Sequence, residues 1–481
     1  MAARAYTAIS IEEPLMTITS GTDEASALTF WTYLQGQPLY ADPHKFPYVA
    51  TYYNWLYYVF YGAISGAAIK VFSLDIAWIP TVGRWVSLAW TVSGFLVAGL
   101  LFCKVKQLNT RMRFIYLPYA AYIFFGPLVG FWAISLNVEL AATTCGIIAT
   151  FVFVSLYNEK PVAATLLTCV FAYIAWSFKQ SHIMVVGALG LFLLIRRDWR
   201  CLSFVCIIQG AGWGAALLAG SEAYVKMLLF KGTDKTLELA RLYRNLTNFV
   251  SKTTPFLFLN LAIATFLWRN KGTSSAIFKD IHALFSLCGL FVSVVISVIF
   301  SAKQGAAENY YFLMTFFMVY AGLALMRFIP EHQTSAFGWN AILMVGWLAS
   351  IGAILSILLG MNGIISTHSW HAKHEAQREC LRGLPGPFLP VGSPYVALPW
   401  MTTSEPRFDV AHNYSRDRLA GRWFEADGFG GLIRQAYFGT IILGQGAEPS
   451  YDGVVLKGIY RLEKSYCSGI DIYVRAADSG S

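Results

Sequence analysis

Apolar runs near 82–103, 114–134, 139–157, 161–178, 181–196, 201–220, 254–268, 281–301, 310–327 and 337–361 leave this chain few folds to choose from. Inside a bilayer every backbone N–H and C=O must be satisfied within the chain, so such runs form spanning helices. Several are shorter than the roughly 20 residues a perpendicular helix needs, and those must extend into flanking polar residues. Charged residues make up 13% of the chain, against about 25% in soluble domains. The mean hydropathy of +0.51 agrees with a polytopic membrane protein.

Loop charge then orients the spans. Lys104, Lys106, Arg111 and Arg113 follow the first run; Arg196, Arg197 and Arg200 the fifth; Arg269, Lys271 and Lys279 the seventh; Arg327 the ninth. All four groups fall on one side by parity, and cationic loops stay in the cytoplasm. The net charge of +9 is dispersed among these loops. It is a topology signal and carries no nucleic-acid signature. The other side receives 135–138, 179–180, 221–253, 302–309 and everything beyond 362. Segment 221–253 is basic and partly helical by periodicity. It reads as a solvated or interfacial helix, or as a flap over a lipid-linked substrate.

Residues 48–73 fit two descriptions. They are apolar enough to span, but their tyrosines, Asn54 and Lys70 suit a helix lying in the interface. The interfacial reading makes 1–81 an extracytoplasmic loop. Residues 82–361 form the transmembrane helical domain. Beyond 362 the composition shifts to turns, short strands and helices, a small α/β domain. His368, His371 and His374 share one predicted helix there, and a solvated helix face accounts for them better than a metal site. Cys380 and Cys467 lie in this region and are placed to pair if it is extracytoplasmic. Cys103, Cys145, Cys169, Cys201, Cys206 and Cys288 lie in or beside apolar runs and read as packing residues.

The groups able to do chemistry gather at the non-basic run ends. Asp23 and Glu24 precede an apolar stretch, where Asp23 also suits a helix N-cap. Asp42 precedes Pro43 and also suits a turn. Glu139, Lys179-Gln180 and Lys303 occupy polar breaks between runs, and ionisable groups at membrane level are costly and usually functional. A carboxylate can deprotonate an acceptor hydroxyl or hold a divalent cation. Lys or Arg can hold a phosphate. Together they fit group transfer from a phosphate-linked lipid.

These residues occur in a familiar order. Asp23-Glu24, Gly36-x-Pro38-Leu39-Tyr40-x-Asp42-Pro43 and Tyr53-Asn54-x-Leu56-Tyr57-Tyr58 resemble the first extracytoplasmic loop of the integral-membrane GT-C glycosyltransferases. The likeness is to bacterial members of the protein O-mannosyltransferase and aminoarabinose-transferase group. Gly83-Arg84-Trp85, Asn137-Val138-Glu139, Phe178-Lys179-Gln180, Lys303-Gln304-Gly305 with Asn309-Tyr310, and Leu384-Pro385-Gly386-Pro387 continue it in order. Members more often show Arg-x-Asp where Asn137 and Glu139 stand. They also carry a membrane helix just before the acidic pair, so a helix upstream of this chain is expected.

The resemblance implies an all-α polytopic membrane domain of about 10–11 helices plus juxtamembrane helices, with a small extracytoplasmic α/β domain after it. It implies inverting transfer of a sugar from a polyprenyl-phosphate donor to a lipid, glycan or protein acceptor, outside a bacterial cytoplasmic membrane. Asp23 would then be the base. Glu24, Asp42 and Glu139 would support it or hold a divalent cation, magnesium or manganese. Lys179, Gln180, Lys303 and Arg84 would bind the lipid phosphate, with Asn309 and Tyr310 beside them. Arg84 also suits an interfacial helix anchor. Two other readings stay open: a lipid or polysaccharide transporter, and a non-catalytic protein on the same fold. Against the first, the polar groups sit at span ends, whereas transporters place them at the midplane in broken helices.

Overall fold

The computed structural model describes residues 22–105, 116–231, 237–269, 274–303, 306–329, 373–393, 398–400, 405–408 and 412–476, with Leu348, Ile351 and Leu355. Its helices are α1 (Thr22–Leu34), α2 (Trp55–Phe72), α3 (Ile79–Val105), α4 (Tyr116–Phe125), α5 (Glu139–Leu156), α6 (Pro161–Phe178), α7 (Met184–Arg196), α8 (Trp199–Ala219), α9 (Leu239–Arg269), α10 (Ile281–Ser301) and α11 (Phe312–Leu325). Among the described residues, seven segments are long and apolar enough to cross a membrane: α2, α3, α5, α6, α8, α10 and α11, counting the 3-10 turns that flank α3 and α11. Helix α11 lies at the centre, buried at nearly every position. Most expected runs match a helix to within a few residues, because their ends carry explicit stops. Pro161 opens α6 at its first turn. Asp198 and Asp280 accept amide hydrogens from Cys201 and Ala283 and so cap α8 and α10.

Two expectations need correction, and a third falls outside the described residues. The run 114–134 is not one helix. Helix α4 stops at Phe125, and a 3-10 turn covers Gly130–Ile134. Gly126-Pro127 accounts for the break, since proline withholds an amide and pushes the residue before it out of the α region. The run 254–268 is only the second half of the 31-residue α9. Segment 239–253 is therefore helical, as its periodicity predicts, but continuous with the apolar run, and Pro255 lies inside the helix they form together. Buried Asn245 explains how polar residues continue the helix: its side-chain amide donates to the carbonyls of Ser301 (3.0 Å) and Ala306 (3.2 Å). The run 337–361 lies outside the described residues but for three helical positions.

Helix ends segregate as loop parity requires. At one end, Arg196 donates to the Lys279 carbonyl (2.6 Å), Arg327 pairs with Asp280 (2.8 Å), and Lys104 donates to Ser155 (3.1 Å). At the other end lie Asn54, Leu136, Glu139, Lys179 and Asn309.

The C-terminal part is a four-stranded sheet. Strand β1 (Phe388–Pro390) runs parallel to β2 (Thr440–Gly444), which pairs antiparallel with β6 (Ile470–Arg475), and β6 pairs antiparallel with β5 (Tyr460–Cys467). The two-residue strands β3 (Ser450–Tyr451) and β4 (Val454–Val455) form a separate ribbon. Side chains alternate across the sheet. Ile442, Ile470 and Ile472 face one apolar cluster with Cys380 and Leu381, while Ile441 and Leu443 face another with Phe429 and Leu432. Residues 373–381 are helical and present His374, Gln377 and Cys380 inward at helical spacing. His374 is thus buried, which corrects the solvated-face reading; His368 and His371 lie outside the described residues. Cys380 and Cys467 form a disulfide with Cα atoms 6.3 Å apart and 87 positions of chain between them. The other six cysteines form no disulfide among the described residues. Replacing both disulfide cysteines with serine is expected to destabilise this sheet by about 2–4 kcal/mol. Pulse proteolysis of the solubilised protein measures it, and an unshifted denaturant midpoint would show the bridge to be dispensable.

Candidate functional site

Two short chain breaks organise the site. Between α4 and α5 the chain turns at 135–138, and between α6 and α7 at 179–183. The Leu136 amide donates to Asp23 Oδ2 at 3.0 Å, and its carbonyl accepts from the Tyr57 hydroxyl at 2.8 Å. Asp23 and Glu24 are both buried in the first turn of α1, the helix end that favours negative charge. Three residues beyond Leu136, Glu139 opens α5 and is fully buried. Asn137 Oδ1 accepts from the Glu139 amide at 2.9 Å. Asp23 and Glu139 therefore share one four-residue turn.

Lys179 leaves α6 in extended conformation and donates to Glu139 Oε1. The Asn309 amide donates to the same oxygen. The ammonium of Lys179 also sits 4.3 Å from the Tyr310 ring centroid. Tyr310 stacks on Phe300 at 5.9 Å, and Lys303 lies 4.3 Å over Phe300. Two lysines thus bracket a two-ring stack, each within the range of a cation–π contact. Lys303 is half-buried, and burial lowers its pKa. Gln180 donates to the Tyr52 carbonyl at 3.3 Å.

Arg84 is fully buried on α3, so it is no interfacial anchor, a correction to that alternative. Its neighbour Gly83 packs so tightly on Leu136 that a Cβ there would strike the leucine side chain. Close packing at this glycine brings the start of α3 against the Asp23 turn.

The sequence reading passed over Asn54 and Tyr53 as site residues. Asn54 is fully buried and caps α2 by accepting from the Trp55 amide at 2.9 Å. It also donates to the Trp176 carbonyl and accepts from the Tyr224 hydroxyl, both at 2.8 Å. One asparagine so ties α2 to the end of α6 and to the turn after α8. Burial above all, then Tyr58, Tyr310 and Asp23, holds the Tyr53 phenol well above its ordinary range. Tyr53 therefore stays neutral while lying between the Asp23 turn and the Lys179 stack.

Asp42 stands apart from this cluster. It is partly exposed, and its side chain accepts from the His44 amide at 3.0 Å in a tight turn. That turn carries Tyr48 into the C-terminal apolar cluster, where it packs on Tyr414, Phe424 and Phe429, while exposed Phe46 lies against Phe408 and Tyr437 at the edge. The Tyr48 hydroxyl donates to the Glu425 carbonyl at 2.6 Å, and the Phe46 amide to Glu425 Oε2 at 2.9 Å. His44 meets Asp417 at 3.2 Å. Burial, then Glu425, pushes the Tyr48 phenol up to about 12, so it remains a donor. Its φ of 64° lies in the left-handed region, a cost that the surrounding packing must outweigh.

Among the described residues no group of three or more His, Cys, Asp or Glu is placed to hold a metal ion. Glu139 instead has an ammonium and an amide N–H on one oxygen, the opposite of what a metal ligand presents.

No protein-family model matches the chain, and neither does any curated protein. Two crystal structures of ArnT from Cupriavidus metallidurans do match it in fold, one bound to undecaprenyl phosphate and one in the apo state. TM-scores are 0.57 and 0.58 at 11% identity, over 99% of this chain and 97% and 96% of theirs. The fold is therefore shared with these ArnT structures, as the sequence leads one to expect, with transmembrane helices followed by a strand-containing C-terminal part.

Proposed function

We propose that this protein is an inverting glycosyltransferase that moves a sugar from a polyprenyl-phosphate donor to an acceptor at the extracytoplasmic face of a bacterial cytoplasmic membrane. One observation carries the reading. A fold shared along 99% of the chain with a protein crystallised on undecaprenyl phosphate coincides with buried carboxylates and lysines meeting at one set of helix ends.

In this scheme Asp23, oriented by the Leu136 amide, takes the proton of the acceptor hydroxyl. The acceptor oxygen bonds to the anomeric carbon from the face opposite the donor. The bond from that carbon to the phosphate oxygen breaks, and polyprenyl phosphate leaves with the electron pair. Arg84 and Lys303 are the cations for that phosphate. A half-buried ammonium such as Lys303 regains on meeting an anion what it loses in hydration. Lys179 is better described as the charge partner of Glu139, and Asp42 as the residue that shapes the turn into the C-terminal part. No step requires a metal.

The Leu136 amide on Asp23 Oδ2 supports the one-sided site, since it joins Asp23 to the turn that leads into Glu139, whatever the course of α2.

The test is a panel of undecaprenyl-phosphate-linked arabinose, mannose, glucose and galactose, offered with a membrane extract to protein in nanodiscs. One donor is expected to release undecaprenyl phosphate and give a product of inverted anomeric configuration by NMR. Movement of donor across vesicles without release would favour the transporter.

A further inference from the structure

Glu139, Asn137 and Asn309 retain hydrogen-bonding capacity that the protein does not use. Glu139 is 0% exposed, Asn137 1% and Asn309 8%. Among the described residues, Glu139 Oε2, Asn309 Oδ1 and Asn137 Nδ2 have no hydrogen-bond partner. The three lie together, because Asn309 donates to the other oxygen of Glu139 and Asn137 accepts from its amide. One helical turn along α5, the buried Thr143 hydroxyl is also unpartnered. Residues one turn apart share a helix face. Leaving such a buried group unsatisfied is costly, so four at one place call for an occupant.

The chemistry of the unused atoms specifies that occupant. Two are acceptors, one is a donor, and the threonine is either. The cluster is close to neutral, since the Lys179 ammonium already answers the Glu139 carboxylate. A phosphate would bring its charges against Glu139, and a free cation would meet Lys179. Neutral hydroxyls match instead, because each both donates and accepts.

We infer that Glu139, Asn137, Asn309 and Thr143 form a subsite that reads the ring hydroxyls of the transferred sugar. The inference rests on the donor proposed above and assigns these residues to sugar selection, with Lys179 a positioning residue that neutralises Glu139. Lys303 and Arg84 keep the phosphate, as proposed above. The phosphate and the sugar are thereby read by separate parts of the site.

The experiment compares two probes on protein in nanodiscs: undecaprenyl phosphate, and the sugar-bearing donor released most rapidly in the panel above. Asn309→Leu and Thr143→Val are the variants, the second nearly isosteric so that folding is preserved. Each should weaken the sugar-bearing probe by about 10- to 100-fold, the loss typical of a polar site left unpaired, and leave undecaprenyl phosphate unchanged. Equal weakening of both probes would place the cluster at the phosphate and overturn the inference. Unchanged affinity of both would assign the unused atoms to internal water and overturn it as well. Wild-type protein that binds neither probe would instead sink the proposed function itself.

Discussion

Asp23→Asn is expected to cut sugar transfer by at least about 100- to 10,000-fold, the range for loss of a positioned proton acceptor, while undecaprenyl phosphate still binds. The substitution is close to isosteric and keeps an oxygen for the Leu136 amide, 3.0 Å away in the wild type, so the turn at 135–138 should hold. What disappears is the capacity to accept a proton. Transfer rate and lipid affinity, measured on the same nanodisc sample, separate the two roles. Undiminished transfer would exclude Asp23 as the base. Undiminished transfer in an Asp42→Asn variant is, by contrast, consistent with a residue that only shapes a turn.

Lys179→Met should be the most destabilising single change at the site. It strands the Glu139 carboxylate, 0% exposed, without its ammonium. Breaking one partner out of a buried pair typically costs about 3–5 kcal/mol. Loss of the cation over Tyr310, 4.3 Å away, adds a smaller amount. The double variant Lys179→Met/Glu139→Gln removes the stranded charge and should recover most of the loss. Thermal aggregation midpoints of the two singles and the double complete a cycle that isolates the coupling. A single variant as stable as wild type would show that the pair is not desolvated.

Much of the helical architecture was legible because its boundaries are chemical. Asp198, Asp280 and Pro161 mark helix starts by mechanisms that operate locally. Helix α9 was misread because Arg241, Arg244, Asn245, Asn248 and Lys252 break the apolar run that marks a span. Asn245 is buried and spends its amide on carbonyls 56 and 61 residues away, a tertiary fact no window reveals. The site was half legible. Glu139, Lys179 and Lys303 stand out as charges in apolar surroundings, but that Lys179 answers Glu139 is a matter of geometry. Asn54, directly before an aromatic helix, had the signature of a cap; its bonds to Trp176 and Tyr224 did not.

The insertion of Tyr48 into the C-terminal cluster ties two distant stretches of chain together. Asp23 and Tyr48 both precede α2, and the residues gripping Tyr48 come from 414–429. A shift of the C-terminal part would be felt along the segment leading back to the acidic pair. Energetic coupling of this kind is reciprocal. An acceptor that grips the sheet would sense whether the first loop is closed over a donor, and a donor in place would tune the sheet's hold on its acceptor.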